Sequence, residues 1–180
     1  MPTNTVHDIP NDLIFPLTFR PSQSYKEAPR SFGSNRSGGK RKHAGCDLYA
    51  PVGTPILAMA SGKVISVVYK FYCSTYAIEI DHGSFVARYG EILLEPARSL
   101  KLNSTVRAGQ VIGAVGQLDC YNKPMLHLEI YSGEASGALT DRSNPPYQRR
   151  ADLLDCTPYL DKARVGLATN MDGTIQTTTK

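Results

Sequence analysis

His43 and Asp47, in His43-Ala44-Gly45-Cys46-Asp47, are the residues whose types and spacing most directly suggest chemistry. On an extended segment, side chains at i and i+4 share a face. One imidazole nitrogen and one carboxylate oxygen can then share a cation. Zinc accepts both donor types, and three protein ligands with one open position is its catalytic arrangement. The third ligand has to come from another segment. His127 is best placed, in the clean strand alternation Met125-Leu126-His127-Leu128-Glu129-Ile130. Glu129 shares the face of His127, either orienting its imidazole or standing as a solvated or ion-paired acid. Tyr49, two residues after Asp47, either lines the same groove or is a half-buried strand tyrosine. A His–Asp pair at this spacing is by itself a weak signal, so the surrounding chain has to supply the rest.

The elements that would hold these residues are short strands. Pro55 to Ala60 and Lys63 to Tyr72 read as a hairpin turned at Ser61-Gly62. Tyr76 to Ile80, Phe85 to Tyr89, Leu100 to Val106, Val111 to Val115 and Met125 to Tyr131 follow, separated by glycine, proline and aspartate turns. Arg149 to Cys156 is the one helical segment, and Gly133 to Gln148 is a long loop leaving the His127 strand, where it would wall a groove. This pattern predicts an all-β fold, an antiparallel β-sandwich or partly open barrel with long loops and a short C-terminal helix. Residues 1–12 read as a flexible lead-in, 13–165 as one domain with its core at about 30–131, and 166–180 as a polar, frayed tail.

Bulk properties narrow the class. The 180 residues suit one domain, and 41% hydrophobic with 20% charged residues is ordinary for a globular chain. No apolar run reaches the length of a membrane span. The first residues lack a basic region followed by an apolar one, so no classical signal peptide is expected. Net charge is +4, with Arg30, Arg36, Lys40, Arg41 and Lys42 crowded into one stretch. This is either a solvated loop or a patch that draws an anionic polymer. No nucleic-acid-binding motif accompanies it, and charge alone does not argue for such a partner. The four cysteines contain no C-x-x-C pair, which excludes a structural zinc site of that kind. Cys73 and Cys120, each preceding a core strand, are the favoured disulfide. Cys46, facing away from the ligands, is read as a small buried hydrophobe.

The run Asp47 to Val64 resembles the lysostaphin or LytM-type zinc metallopeptidases, whose signature is H-x-G-x-D followed by A-P-x-G-T-P-V-x-A-x-x-x-G-x-V. The likeness continues through Ile80-Asp81-His82-Gly83, Val106 to Gly113 and Leu126 to Ile130, covering about residues 30–131. It implies a lysostaphin/LytM-like fold of the duplicated hybrid motif type, with the site in a groove on one sheet. It also implies Zn2+ as cofactor, the peptides of peptidoglycan as substrate, and His43, Asp47 and His127 as metal ligands. Arg36, in Ser31-Phe32-Gly33-Ser34-Asn35-Arg36, matches the family arginine near the site. His82 stands in a family D-H-G that carries no ligand, and His7 has no counterpart in the motifs.

Two positions depart from the family. Its two catalytic histidines are replaced by Glu91, in Arg88-Tyr89-Gly90-Glu91-Ile92, and by Met125. An active enzyme would use Glu91 as base and proton shuttle, with Met125 as packing and Tyr89, Arg36 or Arg88 supporting the developing oxyanion. The expected function is a zinc-dependent endopeptidase that hydrolyses peptidoglycan cross-links, as a phage lysin or an antibacterial effector. It would reach the cell wall or periplasm by non-classical delivery machinery and meet a cognate immunity protein. The alternatives are a catalytically inactive zinc-containing wall-binding module and a vestigial domain of a phage particle.

Overall fold

The alternation over 125–131 becomes a seven-residue strand that pairs with three others. The computed structural model describes residues 8–170 and 172–176. Its strands are β1 (Asn35–Arg36), β2 (Arg41–Lys42), β3 (Cys46–Tyr49), β4 (Pro55–Leu57), β5 (Gly62–Val64) and β6 (Tyr69–Lys70). They continue with β7 (Tyr76–Asp81), β8 (Val86–Ile92), β9 (Thr105–Val106), β10 (Val111–Ala114), β11 (Met125–Tyr131) and β12 (Leu153–Leu154). The α-helix among the described residues is α1 (Thr157–Lys162). The main sheet runs β12-β11-β8-β7-β5-β9, with β3 also on β11 and β6 on β7. β4 pairs with β10 and β1 with β2, and every strand pairing is antiparallel. None of the described helices is long and apolar enough to cross a membrane.

Register across the central strands sorts the two faces. Ile78, Tyr89 and Leu128 lie in one row, and Ile80, Ala87 and Ile130 in the next. These six side chains enter the core, where they meet Leu13, Phe15, Ile56, Tyr159 and Leu160. Between those rows Glu79, Arg88 and Glu129 stand side by side on the opposite face. Asp47, His127 and Gly90 make the neighbouring row on that face. A Cβ at Gly90 would come within 2.7 Å of the Phe71 ring, so any side chain there forces that ring to move.

Several expectations need correction. Pro55 to Ala60 and Lys63 to Tyr72 do not form a hairpin. β4 leaves to pair with β10, while β5 pairs with β7 and β9, so the chain changes sheets at Ala58–Ser61. Only Thr105–Val106 of the Leu100 to Val106 segment is strand. The helix lies beyond Arg149 to Cys156, because Leu153 and Leu154 pair with β11 and Arg149 is drawn onto Glu129. α1 starts only at Thr157, after the N-cap Cys156, with Pro158 in its first turn, where a missing N–H costs nothing. The tail is also less free than its composition implies. Thr169 bonds to Val111 and Gly109, and Ala168 packs on Ile14 and Leu57. Residues 1–7 with His7, residue 171 and residues 177–180 lie outside the described residues.

Cys73 pairs with Cys120, at a Cα separation of 6.1 Å. Cys46 is not an unpaired hydrophobe: it forms a disulfide with Cys156 across 110 positions. β3 turns Cys46 away from Asp47 into the core, and the start of α1 lies against that face. This bond ties the strand carrying a predicted metal ligand to the C-terminal helix. Replacing Cys46 and Cys156 together by alanine should lower stability by about 2–5 kcal/mol, read by urea unfolding under oxidising conditions. Reductant should bring the parent chain down towards the variant. Equal midpoints would show that the cross-link carries no stability.

Candidate metal centre

β3 and β11 bring the three predicted ligands together. His43 Nε2 lies 3.0 Å from Asp47 Oδ1, and His127 Nδ1 lies 2.8 Å from the same oxygen. The two imidazole nitrogens are 3.1 Å apart. All three residues are buried. Ligand atoms about 2.0–2.2 Å from a shared tetrahedral zinc ion stand roughly 3.3–3.6 Å from one another, so this triangle has only to open by a few tenths of an ångström to hold one.

Outer contacts prepare both imidazoles. His43 Nδ1 donates to the Ser31 carbonyl at 2.9 Å, which leaves Nε2 bare. His127 Nε2 donates to Glu129 at 3.0 Å, which leaves Nδ1 bare. Asp47 turns its second oxygen to Arg36 at 3.1 Å. Two nitrogens and one carboxylate oxygen, converging with their lone pairs inward, are a donor set that fits zinc.

The electrostatics agree. Burial opposes charge on Asp47, but hydrogen bonds from His127 and His43 win and hold its carboxyl well below the usual range. Burial likewise opposes charge on His127, and its bonds to Asp47 and Glu129 overcome this, raising it to about 9. His43 is lowered, chiefly by burial. In the metal-free chain, a proton on His127 therefore stands where a cation would.

Beneath His127 lies a buried ionic network. Glu129 is fully enclosed and accepts from Arg88 at 2.9 Å, Arg149 at 2.8 Å and the Tyr131 hydroxyl. Burial would raise Glu129, but Arg88, His127 and Arg149 hold it well below the carboxylate range. Its permanent charge steers the His127 ring. Glu129→Gln should weaken zinc binding by about 10–100-fold, measured by competition with a chelating dye. It should also lower the unfolding temperature, since Arg149 loses its counter-charge and buried Arg88 keeps only Glu79. Unchanged zinc affinity would reduce Glu129 to a packing role.

Glu91 reaches the groove through a backbone irregularity. Tyr76 pairs with Ile92 and Ala77 with Gly90, so Glu91 is the extra residue of a bulge. Its φ of 62° is in the left-handed region, rare for a side-chain-bearing residue. Simple alternation from Tyr89 would have aimed Glu91 at the core. The bulge turns it into the groove and returns Ile92 to the interior. Glu91 is 7% exposed, and its Oε2 has no hydrogen-bond partner among the described residues. Burial pushes its carboxyl up to about 7, with the His127 charge lowering it and Asp47 raising it.

The groove encloses about 840 Å³ and is lined by the triangle, Glu91, Arg36, Tyr49 and Met125. Tyr49 lies under the Arg30 guanidinium, 5.5 Å from its ring centre. The structure does not bring Tyr89 or Arg88 to this groove. Tyr89 is 0% exposed on the core side, where its hydroxyl accepts from the Met59 amide at 3.0 Å and meets His82 at 2.9 Å. Arg88 is buried between Glu129 and Glu79. Their neighbouring positions on one strand send them to opposite faces: Tyr89 points into the core, and Arg88, on the face of His127, is held by Glu79 and Glu129 short of the groove. Sequence reading missed the Ser31 carbonyl and Arg149, because a backbone acceptor and a loop arginine carry no motif. It also missed Phe71, whose ring centre lies 5.8 Å from that of His127.

Comparison with known proteins places this arrangement. The profile of peptidase family M23 matches residues 41–139. Lysostaphin of Staphylococcus simulans is 30% identical over 158 residues, which is 85% of this chain and 30% of that protein. The peptidoglycan DD-endopeptidase ShyC of Vibrio cholerae is 31% identical over 90 residues, 50% of this chain and 20% of that protein. The chain thus spans between a fifth and a third of the length of these relatives. The solved structure of lysostaphin from Staphylococcus simulans superposes with a TM-score of 0.61 at 21% identity, covering 93% of this chain and 66% of that one. The fold is therefore lysostaphin-like, mostly antiparallel β with one short C-terminal helix. With a family match over more than half its length, centred on a buried His–Asp–His triangle, this chain belongs to peptidase family M23, a family of zinc-dependent peptidases.

Proposed function

We propose that this chain is a zinc-dependent endopeptidase that hydrolyses the peptide cross-links of bacterial peptidoglycan. The observation that carries the reading is Glu91, a buried carboxyl turned by a bulge into the groove of the His43–Asp47–His127 triangle, with one oxygen unpartnered. Both relatives compared above bear on the substrate: one is lysostaphin and the other is named a peptidoglycan DD-endopeptidase.

His43, Asp47 and His127 would hold the ion, which when bound supplies Lewis-acid polarisation of a carbonyl and acidification of water. The remaining work falls to the chain. Glu91, with its carboxyl near neutrality, accepts the proton of the attacking water and returns it to the leaving amine. Arg36, anchored on Asp47, is the cationic donor nearest the triangle and keeps further N–H groups for the developing oxyanion. Glu129 fixes the His127 ring, and Arg88 fixes Glu129. Tyr49 and Met125 shape the groove. Two disulfides suit action in an oxidising space, in keeping with a phage lysin or a delivered antibacterial effector.

The test is digestion of purified peptidoglycan by the zinc-loaded chain, with fragments resolved by mass. Release of cross-link fragments supports the proposal. Binding without fragments favours a second reading, a wall-binding module. Met125 favours that reading, since its thioether lines the groove and cannot transfer a proton.

A further inference from the structure

The groove carries more positive charge than the chain neutralises. Arg36, Arg41, Lys70, Arg142 and Arg149 line it against only Asp47 and Glu91. Arg36 is bound to Asp47 and Arg149 to Glu129. Arg41, Lys70 and Arg142 form no ion pair with any described residue. The β1–β2 pairing sets Arg41 directly across from Arg36, and like charges so opposed cost stability. The next residue, Lys42, turns away to Asn35 at 2.7 Å. Arg41 is partly buried. No described carboxylate forms an ion pair with this guanidinium, and an incoming anion would supply one. The planar fork of arginine matches a carboxylate through two parallel hydrogen bonds.

We propose that Arg41, supported by Arg142, receives a free carboxylate of the substrate peptide, so that the chain selects an acidic cross-linked stem peptide over a neutral glycine bridge. This rests on the endopeptidase reading for the class of ligand. It goes beyond that reading by choosing among substrates and by naming Arg41 as the residue that chooses. A carboxylate seated there lies on the wall beside Arg36, and so beside the Asp47 that Arg36 holds.

The experiment uses two synthetic cross-linked peptides that differ only in one free α-carboxylate or its carboxamide, with a pentaglycine-linked peptide as a third probe. Binding is read by fluorescence anisotropy on zinc-loaded Glu91→Gln, and cleavage on the unsubstituted chain. Salt at about 0.3 M screens the long-range field and leaves direct contacts. The carboxylate peptide should bind roughly ten-fold more tightly than its carboxamide, the effect expected of one charge-assisted pair. Arg41→Gln should bring that ratio close to one, and Arg142→Gln should reduce it. Should Arg41→Gln fail to fold, the Arg142→Gln ratio decides. Equal binding of the two peptides, a ratio that survives the substitutions, or tighter binding of the pentaglycine probe overturns the assignment. A preserved ratio in the parent chain without cleavage leaves the carboxylate site standing and removes the endopeptidase reading. Equal cleavage of both peptides without a binding ratio does the reverse.

Discussion

His127→Ala should leave a folded chain that no longer retains zinc through dialysis and releases no peptidoglycan fragments. Asp47 Oδ1 and His43 Nε2 remain, 3.0 Å apart, but two ligands with no third do not make a catalytic zinc site. The loss should far exceed the about 10–100-fold that removal of an outer contact costs. Metal analysis after dialysis reads it directly, with activity scored separately. Stability should fall too, by about 3 kcal/mol in the metal-free chain. His127 bridges Asp47 and Glu129, and its removal leaves Asp47 dependent on Arg36 and His43. Arg88 and Arg149 still neutralise Glu129, which limits the damage. Full zinc retention by His127→Ala would show that the ion sits elsewhere.

Glu91→Gln should separate metal binding from turnover. Its side chain is nearly the same size, so the groove and the triangle keep their shape and zinc binds as before. Cleavage should drop by about 10²–10⁴-fold, the contribution of a placed acid–base group. An unchanged rate would move the base to another residue. The same variant has a stability signature with a defined sign. Glu91 sits at about 7 in the folded chain against its ordinary 4.5, so between these values the folded state holds a proton that the unfolded state has lost. The Glu91 contribution to the stability of the metal-free parent should therefore fall as pH rises from about 4.5 to about 7 and be constant above that. The total is on the order of 3 kcal/mol. Glu91→Gln lacks this slope and should be the more stable protein at pH 8, with the advantage shrinking towards pH 5. Zinc loading should flatten the parent's slope, because a nearby dication favours the carboxylate. Parallel pH profiles for the two metal-free proteins would mean that Glu91 is not buried as described.

Much of the site is legible in the amino-acid order alone. The i, i+4 spacing of His43 and Asp47 on an extended segment and the alternation around His127 name three residues that do converge. Those readings depend on period alone, and strand period is local. Glu129 is legible in the same way, two residues from His127 on one face. The faces of Arg88 and Tyr89 are not. Which side of a strand is core depends on what packs there, and β8 is covered on both sides, by the hydrophobic core and by the Glu79–Arg88–Glu129 row.

By itself the sequence determined the alternation of the central strands and the candidate ligand types, which follow from side-chain identity and from short periods that neighbours cannot change; its resemblance to a known family supplied the rest. Only the tertiary structure decided that Glu91 escapes the alternation of its strand, that Cys46 bonds to Cys156, and that β4 departs to β10. It also decided that Arg41 stands beside Arg36 on the groove wall with no ion-pair partner among the described residues. Each of these turns on partners distant in the chain or on one residue of register. A single extra residue reverses the face of a strand, and no local pattern records where that residue will be absorbed.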